Sequence, residues 1–75
     1  MVVGVIMKNN LSCKNNLEKF RVDKGLSQKD LANLVGISVE TVSLIENGSL
    51  IPTLRLATTL STALDKKFGE VFFFC

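Results

Sequence analysis

The chain has 75 residues, 47% apolar and 21% charged, which makes one small domain with enough hydrophobic side chains for a core and excludes a disordered chain. The net charge of +2 is mildly basic and by itself selects no partner class. There is no His, and the two Cys, Cys13 and Cys75, stand far apart. No zinc-ligand spacing, phosphate loop or nucleophile beside a base is present, so no cofactor or metal and no enzymatic activity are expected. Two thiols without a secretion signal fit a reduced, cytoplasmic setting.

The opening "MVVGVIM" is β-branched and apolar, which suits a strand. It lacks a basic leading region and is far shorter than the roughly 20 residues of a spanning helix, so neither a signal peptide nor a membrane anchor is expected. "KNNL" occurs at Lys8–Leu11 and again at Lys14–Leu17, too short for a repeat architecture. Asn15 or Asn16 starts a first helix that runs through Leu17, Phe20 and Arg21 to Lys24, and Gly25 stops it. In "LSQKDLANLV", Ser27 caps a second helix, Asp30 completes a capping box and Leu26 is placed to staple onto Leu31. Gly36 ends that helix. Ser38 caps a third, which closes at Asn47-Gly48. "SLIP" reads as a connector. Thr53 opens a fourth helix with Leu54, Leu56, Ala57, Leu60, Ala63 and Leu64 on its apolar side, and Asp65 ends it. "KKFGEVFFFC" reads as one helical turn around Phe68–Val71 and then an extended apolar tail.

The second and third helices are joined by a very short turn. Leu31, Val35, Ile37, Val42 and Ile45 are their apolar positions. Ala32 is small where two steeply crossing helices touch, and Gly36 suits a turn that needs positive φ. From about Asn15 to Phe72 the chain carries R-x-x-x-G-L-S-Q, then L-A, G-I-S, I-E-N-G and a following Pro. In these residues it resembles the phage repressor and Cro-type (XRE-type) helix-turn-helix transcriptional regulators. The resemblance implies an all-α, four- to five-helix repressor-like DNA-binding domain over residues 15–72. It leaves an apolar N-terminal extension, 1–14, and an apolar tail, 73–75. The extension looks like the N-terminal strand that a small subgroup pairs with its C-terminal segment. The resemblance also implies a structural ion pair between Arg21 and Glu46. Lys66 and Lys67 depart from the family, which has an apolar residue and then Ser or Thr there, so the last helix is expected to be poorly capped.

The same resemblance puts the third helix in the major groove, with base-reading positions at Val39, Glu40 and Leu44. Helix geometry is a separate guide. At about 100° per residue, Val42 and Ile45 point one way and Glu40, Ser43, Leu44 and Asn47 the other, with Val39 at the tip. Glu40 can accept from the cytosine amino group, while Val39 and Leu44 offer contacts to the thymine methyl. Between Ser27 and Leu50 one Lys faces three acids, a local balance of −2. Phosphate contacts are therefore expected mainly from neutral donors and helix starts: Gln28, which matches the family's phosphate-contacting Gln, with Ser27, Ser43, Asn47, Ser49 and Thr53. Lys29 and Arg55 add charge, and Lys14, Lys19 and Lys24 are further candidates.

The apolar ends form too large a patch for an exposed monomer surface. Phe68, Val71 and Phe72 are expected over the domain's own core. A homodimer is expected through Val3, Val5, Phe72, Phe73 and Phe74, which would present two reading heads to a palindromic operator. The expected function is a sequence-specific, dimeric repressor or autoregulator acting on double-stranded DNA. The alternative is a protein-interaction module on the same scaffold, such as an antitoxin-like protein with an unknown partner.

Overall fold

The computed structural model of the chain describes residues 4–6 and 14–74. Among them are five helices, α1 (Leu17–Asp23), α2 (Gln28–Val35), α3 (Val39–Glu46), α4 (Leu54–Ala63) and α5 (Phe68–Val71). Four short strands accompany them: β1 (Gly4–Ile6), β2 (Lys14–Asn15), β3 (Leu50–Pro52) and β4 (Phe72–Phe74).

Helix starts follow the hydroxyl caps. The Ser27 side chain accepts from the Asp30 backbone N–H at 2.9 Å, and the Asp30 carboxylate accepts from the Ser27 backbone N–H at 2.9 Å. These hydrogen bonds hold the Asp30 carboxyl below its ordinary pKa. Ser38 caps α3 through the Thr41 backbone N–H at 3.1 Å, and Thr53 caps α4 through that of Leu56 at 3.2 Å. At α1 the cap position is Asn16, but its side chain makes no cap hydrogen bond. Asn15 substitutes, accepting from the Leu17 backbone N–H at 3.0 Å. Lys67 precedes α5 and a Lys side chain cannot accept, so only the Glu70 half of a box forms, accepting from the Lys67 backbone N–H at 2.9 Å.

Helix stops use left-handed residues. Gly25, Gly36 and Gly48 all have positive φ, as does Asp65 at φ 58. After α4 the Lys66 N–H bonds the Ser61 carbonyl at 2.9 Å and the Asp65 N–H bonds that of Thr62 at 3.0 Å, the Schellman pattern usually completed by Gly. Asp is tolerated there because its short polar side chain finds a partner, here Lys24 of the α1 end. That ion pair lowers the Asp65 pKa.

Every helix contributes to one core. Leu17, Leu31, Val42, Ile45, Leu60 and Val71 have 0% exposure, and Ala32, Leu56, Ala57, Leu64, Leu50 and Phe72 complete the cluster. Val35, Ile37 and Leu26 pack partly buried against it. Ala32 is 1% exposed where α2 meets its neighbours, so a larger side chain has no room. The hydroxyl of buried Ser61 donates to the Ala57 carbonyl at 2.8 Å, so it carries no unsatisfied group into the core.

The strand pairing joins the N- and C-terminal ends as expected, but through Lys14 and Asn15, while the apolar strand around Val5 pairs elsewhere. β1 runs antiparallel to β3, with Val5 opposite Ile51, while β2 takes β4, with Lys14 opposite Phe74 and Asn15 opposite Phe72. The stretch read as a connector is therefore a strand. Leu50 and Pro52 turn inward and Ile51 is half-buried, an alternation that fits a short extended segment on the core. Pro52 sits at its end, where the missing N–H interrupts little pairing. Asn15 in β2 and Asn16 after it then tie this strand to the rest. Asn15 Nδ2 donates to the Ile45 carbonyl at 3.0 Å, and the Asn16 backbone N–H to that of Val71 at 2.8 Å. Among the described residues no helix is long and apolar enough to cross a membrane.

Gly36 has φ 79 and nothing lies within 4 Å of where its Cβ would be, so a side chain there is opposed by backbone strain alone. Gly36→Ala should cost about 1–2 kcal/mol and Gly36→Asn clearly less, measured by urea unfolding. Equal losses would show that the turn does not depend on left-handed backbone.

Candidate nucleic-acid interface

The two capped starts, of α2 and α3, define the candidate surface. The first N–H groups of a helix have no acceptor within it, so both starts present donors and a partial positive charge. Around α3 the burial follows the helical period. Val42 and Ile45 are buried, Glu40 and Asn47 are exposed on the far side, and Val39 is 41% exposed at the leading end. Leu44 is half-buried and packs on the edge of the core, so it offers only part of its side chain outward. Val39, Glu40 and the outer part of Leu44 thus share one face with Asn47.

Glu46 and Gln28 are not free on the surface. Arg21 Nε donates to Glu46 Oε2 at 2.6 Å and Arg21 Nη2 to Glu46 Oε1 at 3.3 Å, with the two side chains only 9% and 5% exposed. Arg21 Nη1 donates to the Leu26 carbonyl at 2.7 Å. The Glu46 hydrogen bond, together with its charge, raises the Arg21 pKa. Gln28 Nε2 joins the same carboxylate, donating to Glu46 Oε1 at 2.9 Å. Three helices therefore meet at one carboxylate. Sequence reasoning paired Arg21 with Glu46 but placed Gln28 on phosphate alone. No local signal marks that second role, which depends on how α3 crosses α2.

The remaining phosphate candidates divide by what already occupies them. Lys29 and Arg55 are exposed at the starts of α2 and α4. The hydroxyl oxygens of Ser27 and Thr53 accept cap hydrogen bonds, which leaves their O–H hydrogens as donors. Asn47 is exposed; its Oδ1 accepts from the Ser49 backbone N–H at 2.8 Å, shaping the turn into β3, and its Nδ2 is a further donor. Ser43 and Ser49 are half-buried. Lys24 is committed to Asp65. Lys66, not among the phosphate candidates, has its Nζ 4.7 Å from the Phe20 ring centre.

For the expected dimer contacts, Phe72 is a correction. It is 4% exposed and belongs to the chain's own core, with its ring 5.8 Å from that of Phe68, so little of it is left for a second subunit. Phe73, on the opposite side of β4, is 48% exposed. Val3 lies outside the described residues. Val5 and Phe74 lie in β1 and β4, and only their backbones are described.

Comparison with known proteins gives a consistent result. The sequence profile of the helix-turn-helix family matches residues 17–71. The HTH-type transcriptional regulator YgzD of Bacillus subtilis is 37% identical over 59 residues, 79% of this chain and 89% of its own length. An HTH-type transcriptional regulator of Methanocaldococcus jannaschii is 34% identical over 61 residues, 81% of this chain and 92% of its own. Among solved structures, the restriction-modification controller protein C.AhdI of Aeromonas hydrophila superimposes with a TM-score of 0.70 at 38% identity, covering 73% of this chain and 83% of its own. The clp gene regulator ClgR of Corynebacterium glutamicum gives 0.68 at 28% identity, covering 71% of this chain and 56% of that one.

Removing one partner of the buried pair leaves an uncompensated charge. Arg21→Ala should lower stability by about 3–5 kcal/mol, whereas replacing both partners, Arg21→Met with Glu46→Leu, should cost far less. Chemical unfolding of the three proteins reads this directly. A double variant that loses as much as Arg21→Ala would mean that the charges themselves stabilise the fold.

Proposed function

This chain belongs to the helix-turn-helix family of XRE type, and from that premise we propose that it is a DNA-binding transcription regulator, a dimeric repressor or autoregulator that reads an operator through α3. The observation that carries this is the arrangement of α2 and α3. Both starts are capped, the crossing is tightly packed, and the outer face of α3 is left to Val39, Glu40 and Asn47. The same reading places it in the cytoplasm, beside its DNA.

Glu40, exposed in the first turn of α3, accepts from a cytosine amino group, and Val39 contacts a neighbouring thymine methyl. Leu44 supplies a second, partial methyl contact. Phosphates are held by the helix starts, Gln28, Ser27, Thr53 and Asn47, with Ser43 and Ser49 as smaller contributors and Lys29 and Arg55 as the cations. The acidity of the motif weighs less at this surface than its sequence implies. Glu46 is 5% exposed and neutralised by Arg21, so the exposed charge is Lys29 against Asp30 and Glu40.

A second copy is the natural cover for the apolar end of the molecule. Leu54 is 71% exposed and Phe68 40%. Leu54 and Phe68 border an apolar hollow of about 250 Å³ with Ile51, Pro52, Ala57 and Phe72. Burying such a face between two-fold related chains would set two reading heads about one helical turn (~34 Å) apart, the spacing of a palindromic operator.

In-vitro selection of bound duplexes should return a palindrome whose half-site carries a C next to T-rich positions. Glu40→Ala should relax one base position by about 1–3 kcal/mol. Runs of G at the positions read by α3 would contradict the assignment. Sedimentation should show a dimer at micromolar concentration, and Leu54→Glu should shift it towards monomer. A parent chain that sediments as a monomer would remove the two-headed arrangement.

A further inference from the structure

We infer that Glu46 is a positioning residue for DNA binding: its carboxylate holds the Gln28 amide so that the second N–H of that amide is aimed at a phosphate. This rests on the reading above that the chain binds DNA through α2 and α3.

The orientation of the amide follows from chemistry. An ionised carboxylate only accepts hydrogen bonds, so the group of Gln28 that lies 2.9 Å from Glu46 Oε1 is the NH₂ and not the carbonyl. That nitrogen carries two hydrogens. One is spent on Glu46, and the planar amide then fixes the direction of the other. Gln28 is half-buried at the first position of α2, where the helix start already favours an anion.

The anchor is itself held. Both Glu46 oxygens accept from Arg21, and a third guanidinium nitrogen bonds the Leu26 carbonyl, within the loop that leads into α2. The carboxylate and the Gln28 backbone are thus fixed by the same guanidinium. A Gln on an open surface gives up its rotamer freedom when it binds; here that freedom is given up on folding, before DNA arrives. Arg21 also cancels the charge that would otherwise repel the phosphate. A Glu at the end of the reading helix, unfavourable on charge alone, becomes a support for the grip.

The test is a double-mutant cycle on the duplex recovered by selection, at fixed salt, with Gln28→Ala, Glu46→Gln and both together, and with urea unfolding of each. Gln28→Ala should weaken binding roughly three- to tenfold. Glu46→Gln should weaken the parent by a similar factor but change the Gln28→Ala protein by less than about twofold, whatever it does to stability. The same loss in both backgrounds would overturn the inference, since a purely structural Glu46 acts regardless of Gln28. Should Glu46→Gln fail to fold, NMR of the parent decides. One of the two Gln28 side-chain amide hydrogens should exchange slowly in the free protein, and the other should become slow only with DNA. Two fast hydrogens in the free protein would overturn it. If the parent selects no sequence at all, the DNA-binding reading falls first; if it selects one and the cycle is additive, only the role of Glu46 falls.

Discussion

Two opposite charges meet between the end of α3 and the middle of α1, and very little water reaches them. Arg21 and Glu46 lie 2.6 Å apart with side chains 9% and 5% exposed. Such a pair adds little net stability, because desolvation of both ions offsets their attraction. What it does supply is geometry. A bidentate guanidinium tolerates few arrangements, so α3 is fixed in rotation and height against α1. Through Leu26 and Gln28 the same contact sets where α2 begins. The proposed reading face is therefore defined from the inside of the domain: once Val42, Ile45 and Glu46 point inward, Val39, Glu40, Asn47 and parts of Ser43 and Leu44 are left outside.

That constraint bears on how an acidic helix lies against DNA. The charge of a sequence segment is not the charge of a surface. Glu46 counts against binding in a tally along the chain, yet it is buried, paired and turned away. Gripping and reading are separate tasks with separate residues. In the proposed mode reading falls to the outer face of α3, which needs shape and acceptors more than charge, and gripping falls to helix starts and neutral donors, with Lys29 and Arg55 beside them. In the proposed dimer both sets double, which offsets the modest net charge of +2 on each chain.

The helices were largely readable from the sequence because local chemistry decides them. Ser27, Ser38 and Thr53 are hydroxyls placed before apolar periodicity, and Gly25, Gly36 and Gly48 are the residues that accept left-handed backbone. Asp65 was legible as a stop, but its left-handed conformation was not, because that depends on Lys24 arriving from another helix. Long-range pairing was the weak point. Two short apolar segments, around Val5 and around Phe73, and the stretch Leu50–Pro52 all suit strands, and nothing in their residue types says which pairs with which. Phe72 and Phe73 illustrate the same limit: alternation says that they face opposite ways, while only the packed core says which of them is buried. At the site, Gln28 was found through its motif and its tie to Glu46 was not, since that contact depends on how α3 crosses α2.

In the proposed binding mode this surface holds DNA mainly through neutral donors and helix starts rather than through cations. The salt dependence of operator affinity tests it most directly, since each neutralised phosphate contributes roughly −0.9 to the slope of log affinity against log salt. With Lys29 and Arg55 as the cations, the account predicts a slope of roughly −2 per subunit, about −4 for a dimer. A slope near −9, as for about ten cationic contacts per dimer, would contradict it.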